Sequence, residues 1–127
     1  MNSTVINRAS LPAAALLSTW NDHEWRDGVS IDQLAAFDRI TVKTHYSTYE
    51  FVVLSPGDGG VLVRGGEFFP EFTRARLAGS TLGGSFLKLR SIHPGFKIEI
   101  SLGLRYVLTS PVRSISIARP SSSREVM

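Results

Sequence analysis

From Ile40 to Arg119 the chain alternates apolar and polar residues in one short segment after another. Phe96, Ile98, Ile100 and Leu102 are separated by Lys97, Glu99 and Ser101, and Val112, Ile115 and Ile117 sit among Arg113, Ser114 and Ser116. A period of two puts successive side chains on opposite faces of an extended strand, so each segment reads as half-buried antiparallel β-structure. Connections between segments are too short for crossover helices and rich in turn residues: Pro56-Gly57-Asp58-Gly59-Gly60, Gly79 to Gly84, His93-Pro94-Gly95 and Gly103. Six or seven strands joined this way make a meander that curls on itself. The expected fold is therefore all-β, a small, partly open antiparallel β-barrel with a short N-terminal capping helix.

Three zones follow along the chain: an irregular leader over 1–29, the β-barrel domain over 30–119, and a flexible tail over 120–127. Ser30-Ile31-Asp32-Gln33 reads as a capping box opening a helix from Ile31 to about Asp38. Ile40 to Ser55 reads as one long extended segment, bent near Ser47-Thr48. The aromatic stretch Glu67 to Phe72 carries Pro70 and so belongs to an edge or a packed connection rather than a central strand. Leu87 to Leu102 reads as a hairpin turning at His93-Pro94-Gly95.

Composition narrows the function classes. The 127 residues include no cysteine, which excludes disulfides, thiolate metal sites and cysteine nucleophiles. No apolar run approaches a membrane span, and Met1 to Ser18 lacks the pattern of a secretion signal, so a cytoplasmic protein without a membrane anchor is expected. His23, His45 and His93 stand in no catalytic or metal-ligand spacing, and Glu67 and Glu71 suit an exposed loop. The expected chain is not an enzyme and holds no cofactor or metal. Its charge is unevenly spread. Two cations stand against five anions up to Asp38, and twelve against six from Arg39 onward. A basic β-domain of this kind accommodates an anionic partner or stays soluble by its charge.

Two sets of residues carry candidate binding chemistry. In the 87–102 hairpin, Lys88, Arg90 and Lys97 alternate outward beside Glu99, a possible phosphate strip, to which Lys43, His45 and Tyr46 add charge and a ring. Strict alternation sets Tyr46 on the side of its strand opposite Lys43. Trp20 and Trp25 in the leader, with Phe68, Phe69 and Phe72, put aromatic surface outside regular strands, which points to self-association as a homodimer.

The segment Gly79-Ser80-Thr81-Leu82-Gly83-Gly84 resembles the D-x-S-x-x-G motif of PilZ domains, β-barrels that bind cyclic di-GMP, and Arg39-Ile40-Thr41-Val42-Lys43 resembles their R-x-x-x-R. That resemblance implies nucleotide contacts from Arg39, Lys43, Thr81 and Gly84. Gly79 stands where the family has its carboxylate, and Lys43 lacks the planar fork of arginine. More broadly, Ser47 to Phe51, Val61 to Gly66, Phe68 to Glu71 and Thr109 to Ile115 are similar to a family of short uncharacterised bacterial proteins over residues 40–119. This implies a bacterial origin and brings no activity. A non-catalytic binding or assembly module is the function expected; a PilZ-like cyclic-di-GMP receptor or a single-stranded nucleic-acid-binding barrel is the alternative.

Overall fold

The alternating segments become ten strands. The computed structural model describes residues 28–82 and 87–120. Its strands are β1 (Val29–Ser30), β2 (Arg39–Thr44), β3 (Thr48–Ser55), β4 (Gly60–Gly65), β5 (Phe69–Thr81), β6 (Leu87–Leu89), β7 (Ser91–Ile92), β8 (Lys97–Leu102), β9 (Arg105–Leu108) and β10 (Val112–Ala118). All pairings are antiparallel, and the main ladder runs β10-β2-β3-β4-β5-β8-β9, with β6 also on β5 and a separate pair β1-β7. The all-β reading holds in this coarse form.

Register explains the core. Ile117, Ile40, Phe51 and Val63 are successive partners across β10, β2, β3 and β4, so one row of the inner face is apolar from strand to strand. Val53 pairs with Val61, and Leu77 with Ile100, whose neighbour across the ladder is Val107. All of these side chains but Ile117, at the open edge, are buried and form one cluster with Ile31, Phe69, Ile92 and Ile98. Burying a large aliphatic or aromatic side chain contributes about 1.5–3 kcal/mol, so this row dominates the folding energy.

One expectation narrows and one is corrected. The partly open barrel takes the form of an antiparallel sheet without closure, since β9 and β10 share no ladder among the described residues. The sheet does curl far enough for Val112, at the start of β10, to bond the stretch leading into β8: its amide donates to Phe96 O at 2.9 Å and its carbonyl accepts from Gly95 N at 2.8 Å. Nor is there a helix over 31–38. Ser30 caps a single 3-10 turn, Ile31–Gln33, by accepting from Asp32 N. The chain then leaves helical geometry because its amides have other acceptors: Phe37 N donates to Val53 O at 2.7 Å and Ala35 N to the buried Asp38 carboxylate at 2.9 Å. Phe37 itself sits at φ 74°. Partners on β3 outcompete the i−4 carbonyls, and Ile31 alone in that turn reaches the core.

The expected 87–102 hairpin is also rearranged. The strand breaks at Arg90, which takes φ 50°, and β6 pairs with β5 rather than with β8. Ser80 thus lies between Lys88 on one side and Ile98 on the other. The bulge at Ala78 and the glycine after it permit this double pairing. Gly79 has φ 149°, and any Cβ there would fall inside the Lys88 carbonyl oxygen. Pro70 fits where it is because residues 70–72 fall in an irregularity of the β4–β5 ladder, and residues 69–75 of β5 have no partner on the other flank among the described residues, so no donor is needed from proline.

A Gly79→Ala substitution should therefore cost about 2 kcal/mol or more, from the positive φ and the collision with β6. Gly57→Ala, with open space around it, should be near neutral. Urea unfolding of the two variants checks this; equal midpoints would refute it.

Candidate functional site

β2 ends at Thr44, and the chain reverses over His45-Tyr46-Ser47 into β3. Two buried hydroxyls hold the reversal. Thr44 N donates to Ser47 O at 2.8 Å, Thr44 Oγ1 donates to the same carbonyl at 3.0 Å, and Ser47 N donates back to Thr44 Oγ1 at 3.1 Å. Ser110, in the connection between β9 and β10, donates its hydroxyl to Thr44 Oγ1 at 2.7 Å and accepts from Tyr46 N at 3.1 Å. His45 N donates to Pro111 O at 2.9 Å. Every proton in this cluster has an acceptor, which is the condition under which a buried polar network rigidifies its surroundings.

The fixed turn lifts two rings into solvent. Tyr46 is 55% exposed, and the exposed His45 ring meets it edge-on with centroids 4.5 Å apart. Beside them Lys43 projects from the outer face of β2, paired in register with Thr48 and Ser114. Arg113 is the extra residue of a bulge in β10, between the partners Val112–Thr44 and Ser114–Lys43. A bulge redirects a side chain out of the regular alternation, and here Arg113 joins Lys43, His45 and Tyr46 around a cleft of about 650 Å³. Two cations, hydroxyls and two rings line it, and no carboxylate does. Such a lining can grip an anion through charge-assisted hydrogen bonds and hold a flat ring against Tyr46.

The other sequence candidates are scattered. Arg39 shares the outer face of β2 with Lys43, but its guanidinium lies 5.7 Å from the Phe72 ring centroid, with Arg64 over the same ring at 4.3 Å. Thr81 is buried on β5, two intervening strands from β2, and Gly84 lies outside the described residues. At Gly79 there is no room for the carboxylate of the PilZ pattern. Lys88, Arg90 and Lys97 do not form a strip. Arg90 forks onto Asp32 at 2.8 and 3.1 Å, a hydrogen-bonded pair that holds the Asp32 carboxyl below its usual range. Lys97 is 8% exposed, and burial pulls its ammonium below the ordinary lysine value. Lys88 faces the opposite side of the sheet from Lys97. Of the aromatic candidates, Phe68 is exposed, Phe69 belongs to the core at 1% exposure, and Phe72 lies under the two arginines. Trp20 and Trp25 fall outside the described residues.

What strict alternation missed is the meeting of Tyr46 with Lys43 and Arg113. A signal was present. Inward residues are even-numbered at Ile40, Val42 and Thr44 and odd-numbered at Tyr49, Phe51 and Val53, and such a change of phase demands a turn between them. A second cleft, of about 400 Å³, opens where β8 ends at Leu102 and is lined by Arg74, Arg76, Ser101 and Asp58. The Ser55 hydroxyl and the Gly60 amide hold the Asp58 carboxyl below its usual range. Comparison of the chain with family models, curated proteins and solved structures found no match.

Ser110→Ala would strip Tyr46 N of its acceptor and Thr44 Oγ1 of a donor. A cost of about 1–3 kcal/mol is expected, as for other buried groups left unsatisfied, with faster hydrogen exchange at the Tyr46 amide. Unchanged exchange at that amide would show that the hydroxyls do not hold the turn.

Proposed function

We propose that this chain is a non-catalytic binding module whose binding surface is the β2–β3 cleft, and that its ligand is an anion carrying a flat ring, such as a nucleoside phosphate. The observation that carries this reading is the convergence of Lys43 and Arg113 on Tyr46, with the turn fixed in advance by Thr44 and Ser110. Preorganisation matters because a turn already ordered adds no ordering cost on binding. The PilZ-like alternative shares the ligand class but not the residues. Cyclic di-GMP is a ring-bearing anion that this cleft accepts through Arg113 and Tyr46, independently of Arg39 and Thr81. A bacterial cytoplasmic setting accords with the resemblance over residues 40–119; among the described residues no helix is long and apolar enough to cross a membrane.

Self-association is the second reading, and the edge of β10 beyond Val112 favours it. Ile117 lies on the core-side row with Ile40 yet remains 43% exposed, and among the described residues β10 has β2 as its one ladder partner. A second copy adding antiparallel to that edge would cover Ile117 and satisfy its free backbone groups.

Titration with uridine 5′-monophosphate, followed by amide shifts, should give a dissociation constant of about 1 mM, as expected for one stacked ring and one phosphate. The largest shifts should fall on Lys43 to Thr48 and Arg113. Tyr46→Ala and Arg113→Ala should each weaken binding at least fivefold while Arg39→Ala does not. Absence of shifts at these amides at 10 mM nucleotide would overturn the reading.

For the second reading, light scattering should report twice the 13.9 kDa chain mass at micromolar concentration, and Ile117→Lys should return the monomer. A monomer throughout would reject it.

A further inference from the structure

Register places the two clefts at opposite ends of one sheet face. On the outer side, Ser114, Lys43 and Thr48 form the row beside Tyr46. Next come Thr41, Glu50 and Arg64, then Arg39, Val52, Leu62 and Arg74, and finally Gly60, Arg76, Ser101 and Tyr106. Five cations from three strands therefore share this face: Lys43, Arg39, Arg64, Arg74 and Arg76. Of its carboxylates, Glu50 is paired with Arg64, and Asp58 at the far cleft is held by Ser55 and Gly60. Glu67 is exposed in the turn into β5, Glu71 is exposed in the irregular stretch of β5 opposite Arg64, and Glu99 lies past Ser101 on β8. Cations still outnumber carboxylates in the rows from Lys43 to Arg76.

Both ends set an exposed tyrosine near two cations, although the second cleft also holds Asp58 and has its tyrosine outside the lining. At one, Tyr46 stands with Lys43 and Arg113; at the other, Tyr106, 63% exposed, stands across Ser101 from Arg76, with Arg74 two residues further along β5. Between them the Phe72 ring holds the guanidinium groups of Arg39 and Arg64. At about 3.3 Å per residue along a strand and about 4.8 Å between strands, the diagonal from Lys43 to Arg76 is roughly 24 Å. That length suits a short run of nucleotides, near the small end of the site sizes of single-strand-binding barrels. The sequence pI of 9.7 agrees with such a partner.

Building on the proposed binding reading, we infer that the ligand is a single-stranded polynucleotide, laid across the outer face from the Tyr46 cleft to the Arg74–Arg76 cleft. Bases stack at the two tyrosines and phosphates follow the cations between. A single mononucleotide fills one end of this track.

Fluorescence anisotropy with oligo-dT of two, four, six and eight residues, at 50 and 200 mM salt, tests the inference. Affinity should rise at least tenfold from two to six residues and then level off. Four neutralised phosphates give a slope of about −2.8 in log K against log[salt], at about −0.7 each. The double variant Arg74→Ala/Arg76→Ala should halve that slope and abolish the gain with length, with its urea midpoint confirming an intact fold. Tyr46→Ala should weaken every length. Affinity that is constant from two residues upward, yet still lost in Tyr46→Ala, would overturn the track and leave the cleft standing. No binding at any length, together with no mononucleotide shifts at Tyr46, would overturn both. Binding to phosphatidylglycerol vesicles without binding to oligonucleotides would overturn the polynucleotide assignment.

Discussion

The pairing obligation of β5 organises this molecule. Its thirteen residues bond β4 along the first part and β8 and β6 along the second. Backbone donors and acceptors out of water must find partners, and one strand that meets this need on both flanks joins the hairpins β2–β3–β4 to the β8–β9 hairpin. The join works because Ala78 bulges and Gly79 has no side chain, so two neighbours can approach the last residues together. Where β5 has β4 as its one neighbour among the described residues, over 69–75, Pro70 sits on the open edge, and the second cleft opens beside Arg74 and Arg76. Fold and surface chemistry thus follow from how one strand divides its hydrogen bonds.

Much of this was legible in the residues. The alternation of Phe96 to Leu102 and of Ile40 to Thr44 reports strands with one apolar face, and that face is the core. Pro70 correctly marked an edge. Other features depend on partners distant in sequence. The Ser30 signal was read as a helix start, yet Phe37 and Asp38 bond β3, and no local propensity can anticipate acceptors supplied by Val53. The hairpin expected over 87–102 failed for a similar reason. Nothing local reveals that β5 inserts itself between β6 and β8, separating Lys88 from Lys97.

The candidate cleft was half legible. Lys43, His45 and Tyr46 drew notice as charge and rings, but strict alternation separated Tyr46 from Lys43. Arg113 drew none, because a bulge is an error in register, and register belongs to a pair of strands. Other cations are engaged by carboxylates: the sequence candidate Arg90 with Asp32, and also Arg64 with Glu50 and Arg119 with the buried Asp38 at 3.4 Å. The first two pairs, open to solvent, contribute little stability, of the order of 0–1 kcal/mol. Their larger effect is to set which positive charges face solvent unpaired.

The hydroxyl pair beneath the β2–β3 turn has one further property, a direction. An amide can only donate, so Tyr46 N–H obliges Ser110 to accept, and the Ser110 proton must then point at Thr44. With Ser47 N–H also directed at Thr44 Oγ1, the threonine proton has a single destination, the Ser47 carbonyl. No second arrangement of these protons satisfies every atom. The turn that carries Tyr46 consequently has one electrostatic ground state rather than a family of interchangeable ones, and its dipoles are already oriented before any partner arrives.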